Sequence, residues 1–120
     1  MKYMLLIWEY PDTRKLFFGP EGAGLMGEVE TIMKELTESG ELVGGEALAD
    51  PSNTKTVRVG DGAPAITDGP FVEAKEHFGG YVIVDCESQE RALEIAQRWP
   101  GTGLAAMEVR PLMDGSGTEA

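Results

Sequence analysis

The stretch Tyr3-Met4-Leu5-Leu6-Ile7-Trp8 decides the fold of this chain. It is typical of a β-strand, and both of its alternating sets of side chains are apolar. A strand with one face in water would alternate apolar with polar residues, so this strand needs cover on both faces. The run 81–84, Tyr-Val-Ile-Val, has the same character. The fold must therefore bury both sides of at least two strands.

Two amphipathic helices are predicted along the chain. The first spans 24–39 and is followed by Gly40, a common helix stop. The second spans 88–99, with Ser88 as its N-cap and Pro100-Gly101 after its end. Each carries one apolar stripe at helical spacing: Leu25, Val29, Ile32, Met33 and Leu36 in the first, and Ala92, Ile95, Ala96 and Trp99 in the second.

The remaining segments predict loops, further strands and a tail. Residues 9–20 are expected to form a loop that carries Phe17 and Phe18. Residues 42–48, 78–85 and 105–110 are expected to be strands, the first of them interrupted by a glycine pair. Segments 55–59 and 64–67 flank Gly-Asp-Gly and predict a β-hairpin. The small, polar residues 114–120 predict a disordered tail after a single domain over 1–113.

This order of elements predicts an α+β protein with a ferredoxin-like sandwich. Strands alternate with helices in two β-α-β halves, and a hairpin is inserted between them. The expected sheet is antiparallel, with both helices on one face. The other face would be left open, which conflicts with strands that are apolar on both sides. A homodimer whose open sheet faces pack together resolves that conflict.

Composition excludes several classes of function. The 120 residues carry a net charge of −11, so neither a nucleic acid nor an anionic membrane is an expected partner. A single cysteine, Cys86, cannot form an intrachain disulfide, which favours the cytoplasm. No apolar run is long enough for a membrane span. No metal-ligand spacing or phosphate-binding loop is present, so we expect neither a metal nor another cofactor.

Candidates for chemistry concentrate between residues 68 and 81. Asp68 precedes a Gly-Pro turn and is a candidate acid–base group, although an aspartate that caps its own turn is an equal alternative. Glu46 follows the glycine pair and suits either a pocket carboxylate or a structural ion pair. His77 is the only histidine and titrates near neutral pH, but a lone histidine on a charged surface is more often a bystander. We therefore predict Asp68 as the main catalytic residue, assisted by Glu46 or His77.

A cleft between the sheet edge and the 68–81 loop would hold the ligand. The residues predicted to contact a small organic molecule there are Gly69, Pro70, Phe71, Lys75, Glu76 and Tyr81. The competing interpretation is that the turn at 68–71 only builds the dimer.

Several motifs, taken in order, identify a family. They are Met1-Lys2-Tyr3-Met4-Leu5-Leu6-Ile7, Gly44-Gly45-Glu46, Thr56-Val57-Arg58, Asp68-Gly69-Pro70-Phe71, Lys75-Glu76, Gly79-Gly80-Tyr81 and Glu108-Val109-Arg110-Pro111. Over residues 1–113 the chain resembles the YCII-related superfamily in its DGPF-motif branch. The resemblance implies a bacterial protein with a dimeric α/β-barrel fold. Members of that branch are commonly linked by gene neighbourhood to extracytoplasmic-function sigma factors.

The resemblance leaves two functions open. The wider superfamily includes a dehydrochlorinase of a chlorinated hydroquinone, which implies an enzyme-like protein that binds a small organic molecule near Asp68. Other members carry a His–Asp pair with the histidine in the first helix. Helix 24–39 has no histidine, so that pair is not carried over to this chain. The alternative is a non-catalytic ligand-binding or regulatory accessory protein linked to sigma-factor-dependent transcription.

Overall fold

A four-stranded antiparallel sheet organises the molecule. The computed structural model describes residues 1–71, 75–101 and 103–115. The helices are α1 (Thr13–Phe18), α2 (Ala23–Ser39) and α3 (Gln89–Gln97). The strands are β1 (Lys2–Glu9), β2 (Leu42–Ala47), β3 (Lys55–Arg58), β4 (Ala65–Asp68), β5 (His77–Asp85) and β6 (Leu104–Pro111). The sheet order is β2-β5-β1-β6, which places the apolar strands β1 and β5 at its centre.

The core lies between one face of this sheet and helices α2 and α3. Tyr3 and Leu5 of β1 point into it, as do Val82 and Val84 of β5, and all four are buried. The helices contribute buried side chains at the predicted stripe positions, namely Ile32, Leu36, Ala92 and Ile95. The predicted α+β fold with an antiparallel sheet and an inserted hairpin is confirmed.

Two predicted helix boundaries are confirmed: the end of α2 at Gly40 and the start of α3 at Ser88. Gly40 ends α2 in the left-handed conformation, with φ of 82°. The Ser88 hydroxyl accepts a hydrogen bond from the Arg91 backbone N–H and caps α3.

The prediction of a loop over 9–20 is wrong, because α1 occupies its centre. Asp12 occupies the N-cap position of α1 but makes no side-chain capping hydrogen bond, and the first turn has no acidic residue, so the start signal is weak. A tertiary contact holds it instead: the buried Thr13 donates its hydroxyl hydrogen to the Gly103 carbonyl. Phe17 is half-buried rather than free in solvent. The predicted disorder of the tail falls mostly on residues 116–120, which lie outside the described residues.

The second face of the sheet carries no helix from the part of the chain that the structure describes. Met4 and Leu6 of β1 alternate with the core residues, and Ile83 and Tyr81 of β5 lie opposite them. All four side chains are half-buried. We call this surface the open face.

The inserted hairpin, β3 with β4, projects from the body of the molecule. Val57 pairs with Ile66 across it, and both are exposed. Neither strand makes more than marginal contact with another element. We call residues 55–68 the arm. Within the described residues, no helix is long and apolar enough to cross a membrane.

Candidate functional site

A cavity of about 260 Å³ lies between helices α1 and α2 and the helix-covered face of the sheet. Most of its wall is apolar, and a few polar side chains reach it from the ends of strands and from α1. The apolar lining residues include Ile7, Phe17, Phe18, Met26, Val29, Met33, Ala47, Leu48, Val82, Trp99 and Leu104. The polar ones are Glu9, Arg14 and Glu46. Apolar walls with a few polar groups are typical of pockets for small organic molecules.

Glu9 is the ionisable group of this cavity with the clearest sign of function. It is the last residue of β1, and partial burial raises the pKa of its carboxyl group. Removing a carboxylate from water disfavours its charged form, so the proton is held more tightly. His77 and Arg14 counter this shift by lowering the pKa, and Asp50 adds to it. Burial is the largest of these effects.

A glycine in β5 makes the space that Glu9 occupies. A Cβ atom at Gly79 would overlap Cδ and Oε1 of Glu9 and would lie 2.8 Å from its Cγ. The bulge between Ile7 and Trp8 shifts the register at this point and pairs Glu9 with His77. The glycine and the bulge together bring the Glu9 side chain to the cavity. The glycine thus has a steric role at the site.

His77 is the neighbour of Glu9 on the adjacent strand and does not line the cavity. The two are partners across β1 and β5, and His77 is half-buried. Its Nδ1 atom is buried and has no hydrogen-bond partner among the described residues. Buried polar atoms in proteins are nearly always hydrogen-bonded, so a group without a partner marks a place where a proton or a ligand atom can be accommodated.

Arg14 is fixed at one side of the cavity by three contacts. Its Nη1 donates a hydrogen bond of 2.8 Å to the Leu48 carbonyl. Its Nε lies 4.0 Å from Oδ2 of Asp50, and its guanidinium carbon lies 4.9 Å from the Phe18 ring centroid. Hydrogen bonds from the backbone and the side chain of Ser52 keep the pKa of Asp50 low, so Asp50 stays a carboxylate beside Arg14. A held guanidinium suits recognition of an oxygen anion.

Two of the sequence-predicted residues reach this cavity. Both Glu46 and Tyr81 contribute to its lining and are register partners across β2 and β5, while the Tyr81 side chain alternates with the core residue Val82 and belongs to the open face. Glu46 is exposed, so it needs no buried partner. His77 reaches the site only through Glu9.

Asp68 lies outside the cavity, at the base of the arm, where β4 ends. It is paired with Lys55 across the hairpin, and its side chain is 86% exposed. It does not line the cavity, so the structure does not bring it together with Glu46. Its catalytic role stays a prediction without a pocket to support it.

The other predicted ligand-binding residues are also outside the cavity. Gly69 has a φ of 90° and forms the turn after the arm, with its N–H donating to the Thr54 carbonyl at 2.8 Å. Pro70, Phe71, Lys75 and Glu76 are exposed. The Arg58 guanidinium carbon lies 5.2 Å from the Phe71 ring centroid.

The sequence did not point to Glu9 or Arg14. Arg14 belongs to the helix that local patterns did not predict. A pointer to Glu9 is present in the sequence, since paired glycines in a strand mark a close approach by another group. Gly79-Gly80 is such a pair, but the approaching group is known only once the β1–β5 register is known. Among the described residues, no cluster of three His, Cys, Asp or Glu side chains could hold a metal ion.

Comparisons with known proteins agree with this fold. The chain is 29% identical over 116 residues to an uncharacterized protein of Rhizobium meliloti (strain 1021), covering 93% of this chain and 92% of that protein. The structure resembles 5-chloro-2-hydroxyhydroquinone dehydrochlorinase from Burkholderia phenoliruptrix AC1100, solved in complex with 2,5-dihydroxybenzoquinone. That match has a TM-score of 0.53 and 16% identity, and it covers 99% of this chain and 100% of the other. The model of the YCII-related domain matches residues 1–116, so the chain belongs to the YCII-related family.

Proposed function

We propose that this protein binds a small, single-ring organic molecule in the cavity and that Glu9 is the acid–base group acting on it. The observation that carries the proposal is the Glu9 carboxyl group, whose pKa burial raises at the wall of an otherwise apolar cavity. A carboxyl group with a raised pKa holds its proton more tightly and is suited to proton transfer to or from a bound ligand. Displaced pKa values are also concentrated at functional sites.

The size and lining of the cavity favour one aromatic ring. About 260 Å³ is at the small end of ligand pockets, which run from roughly 300 to 1,000 Å³. Phe17, Met33 and Trp99 supply the flat and adaptable surfaces that aromatic rings prefer. The dehydrochlorinase with the same fold was solved with a quinone, which supports this class of ligand.

Arg14 and Glu9 divide the work in this proposal. The guanidinium of Arg14 pairs with a phenolate, carboxylate or quinone oxygen of the ligand. Glu9 then removes or delivers a proton at the ring, and His77 stabilises the carboxylate when the proton has left. An elimination of the dehydrochlorinase type needs such a proton transfer. The Asp68-centred alternative would instead place the ligand at the base of the arm.

A non-catalytic binding protein is the second candidate, and one observation favours it. Among the described residues, no hydrogen bond joins Glu9 to His77, so the structure holds no preformed proton relay. Such a protein would bind the same ring in the same cavity and would not turn it over. Regulation of a transcription partner would then be its role.

The dimer predicted from the sequence belongs to the same proposal. The open face carries Met4, Leu6, Tyr81 and Ile83, and packing two such faces together would remove them from water. The single cysteine supports the reducing cytoplasm as the compartment.

Thermal denaturation with 2,5-dihydroxybenzoquinone and with hydroquinone tests the proposal. A ligand that binds the folded state raises the apparent melting temperature, and the rise increases with the ratio of ligand concentration to Kd. We expect a rise for the wild type, none for Val29→Trp, which fills the cavity, and an unchanged rise for Asp68→Asn. A rise that survives Val29→Trp and disappears with Asp68→Asn would overturn the cavity assignment.

An activity assay distinguishes an enzyme from a non-catalytic binding protein. Chlorinated dihydroxybenzenes would be incubated with the wild type, Glu9→Gln and the matched exposed variant Glu76→Gln, and chloride release would be measured. Chloride release by the wild type and Glu76→Gln, with loss in Glu9→Gln, supports catalysis. Ligand binding without turnover in any of the three favours the binding protein.

A further inference from the structure

The arm makes too few contacts of its own to be stable in water. It consists of two four-residue strands, β3 and β4, paired only with each other. A two-stranded hairpin without other cover is marginally stable at best in water. Its cross-strand apolar pair is exposed on one surface, with Val57 at 58% and Ile66 at 68%. Val59, which follows β3, is 75% exposed.

The whole chain exposes more surface than a compact monomer of its size. Its accessible surface is 7991 Å², whereas a folded monomer of 12.9 kDa exposes roughly 6,300 Å². The excess of about 1,700 Å² is larger than the roughly 800 Å² that each partner buries in a standard interface. The radius of gyration, 16.4 Å, likewise exceeds the roughly 13.6 Å expected for 120 residues. The excess accessible surface is therefore large enough to form a protein–protein interface.

A second copy of the same chain is the partner that fits both apolar surfaces. The open face and the arm are separate patches of one molecule. In a twofold dimer the two open faces pack on each other, and any contact of the arm with the partner is repeated by the partner's arm, so both surfaces are covered without a third component. Charge agrees with this choice. The chain has a net charge of −11, but the arm contains Lys55, Arg58, Asp61 and Asp68 and is neutral. The arm is therefore not repelled by an acidic second copy.

We propose that the arm of each copy reaches across the twofold axis and packs its Val57–Ile66 surface on the partner, next to the partner's open face. The inference rests on the dimer of the proposed function and adds the part of the chain that clasps it. It gives the Asp68-Gly69-Pro70-Phe71 turn a structural role. That turn redirects the chain as it leaves the arm, and it leaves Phe71 70% exposed beside Arg58.

Sedimentation velocity over a concentration series tests the arm with the full chain. The arm variant is Val57→Lys with Ile66→Lys. The matched control is Ala65→Lys with Thr67→Lys, which adds the same two charges to the opposite surface of the same hairpin. We expect the arm variant to raise the dimer dissociation constant at least about 100-fold, since each buried aliphatic side chain contributes about a factor of ten or more. The control should stay within about threefold of the wild type.

The outcomes separate the arm from the dimer itself. A wild-type protein that is monomeric at all concentrations overturns both. A wild-type dimer whose arm variant and control dissociate alike overturns the arm and leaves the open-face dimer standing. Amide hydrogen exchange of the unmodified protein provides a second measurement that needs no variant. The backbone of 55–68 should be protected at concentrations where the dimer forms and should lose that protection on dilution. Equal exchange at both concentrations contradicts the proposal.

Discussion

Two neighbouring glycines of β5 should respond in opposite ways to the same substitution. A Cβ at Gly79 meets the end of the flexible Glu9 side chain, whereas a Cβ at Gly80 meets the backbone carbonyl oxygen of Glu46 at 2.7 Å. Glu9 can rotate away, but the carbonyl of a paired strand cannot. Gly79→Ala should therefore disturb the site and spare the fold, and Gly80→Ala should destabilise the fold.

The magnitudes follow from these contacts. Pushing a χ angle of Glu9 off its rotamer costs about 0.5–1.5 kcal/mol, and replacing glycine by alanine recovers about 0.4–1 kcal/mol from the unfolded chain. Gly79→Ala should thus change the free energy of unfolding by less than about 1 kcal/mol. Forcing an extra carbon against fixed backbone at Gly80 costs typically 1–3 kcal/mol, which lowers the melting temperature by several degrees.

Urea denaturation and NMR measure the two effects separately. Denaturation gives the free energy of unfolding of both variants. A carboxyl-detected NMR titration follows Glu9, whose pKa should fall towards its ordinary value of 4.5 in Gly79→Ala because the side chain moves into water. Equal destabilisation by the two substitutions, or a Glu9 pKa that Gly79→Ala leaves raised, would refute the steric argument.

Three further predictions concern stability. Glu9→Gln should be more stable than the wild type at pH 7, because the folded state raises the Glu9 pKa and so loses stability as that group ionises; urea denaturation should show the difference vanish as the pH falls below about 4.5. Arg91→Ala should cost roughly 1–3 kcal/mol at neutral pH, since it removes two hydrogen bonds of 2.9 Å to Glu41. Because Arg91 lowers the Glu41 pKa, that cost should shrink as acid protonates Glu41, and a cost independent of pH would argue against the ion pair. Leu36→Ala, in a side chain with no exposure, should cost about 2–5 kcal/mol by thermal denaturation, and a loss below about 1 kcal/mol would place Leu36 outside the core.

The parts of the fold that the sequence predicted are those with a long or repeated pattern. The β1 run is apolar at every position from Tyr3 to Trp8, and the α2 stripe extends over about three turns, so local pattern and burial agree. Helix α1 has six residues and no side-chain capping hydrogen bond, and its first residue, Thr13, donates a hydrogen bond to Gly103 in a distant part of the chain. The sequence around Thr13 does not predict that contact.

The site was harder to predict because it depends on register. Glu9 faces Gly79 and His77 only because a bulge after Ile7 shifts the pairing of β1 with β5. The register shift between the two strands cannot be predicted from the residue pattern of either strand alone. Asp68 stood out through its turn chemistry, and that chemistry with the Lys55 ion pair accounts for its position on the arm.

An NMR titration with 2,5-dihydroxybenzoquinone tests the central claim, that the cavity beside Glu9 binds a single aromatic ring, most directly. Methyl groups of Met26, Val29 and Met33 line the cavity and report on its occupancy, and the Glu9 carboxyl carbon reports on the acid–base group. We expect saturable shifts at all four residues, and none at Val57 or Ile66 of the arm. Shifts confined to the arm and the Asp68 turn, with the cavity methyl groups unchanged, would contradict the claim.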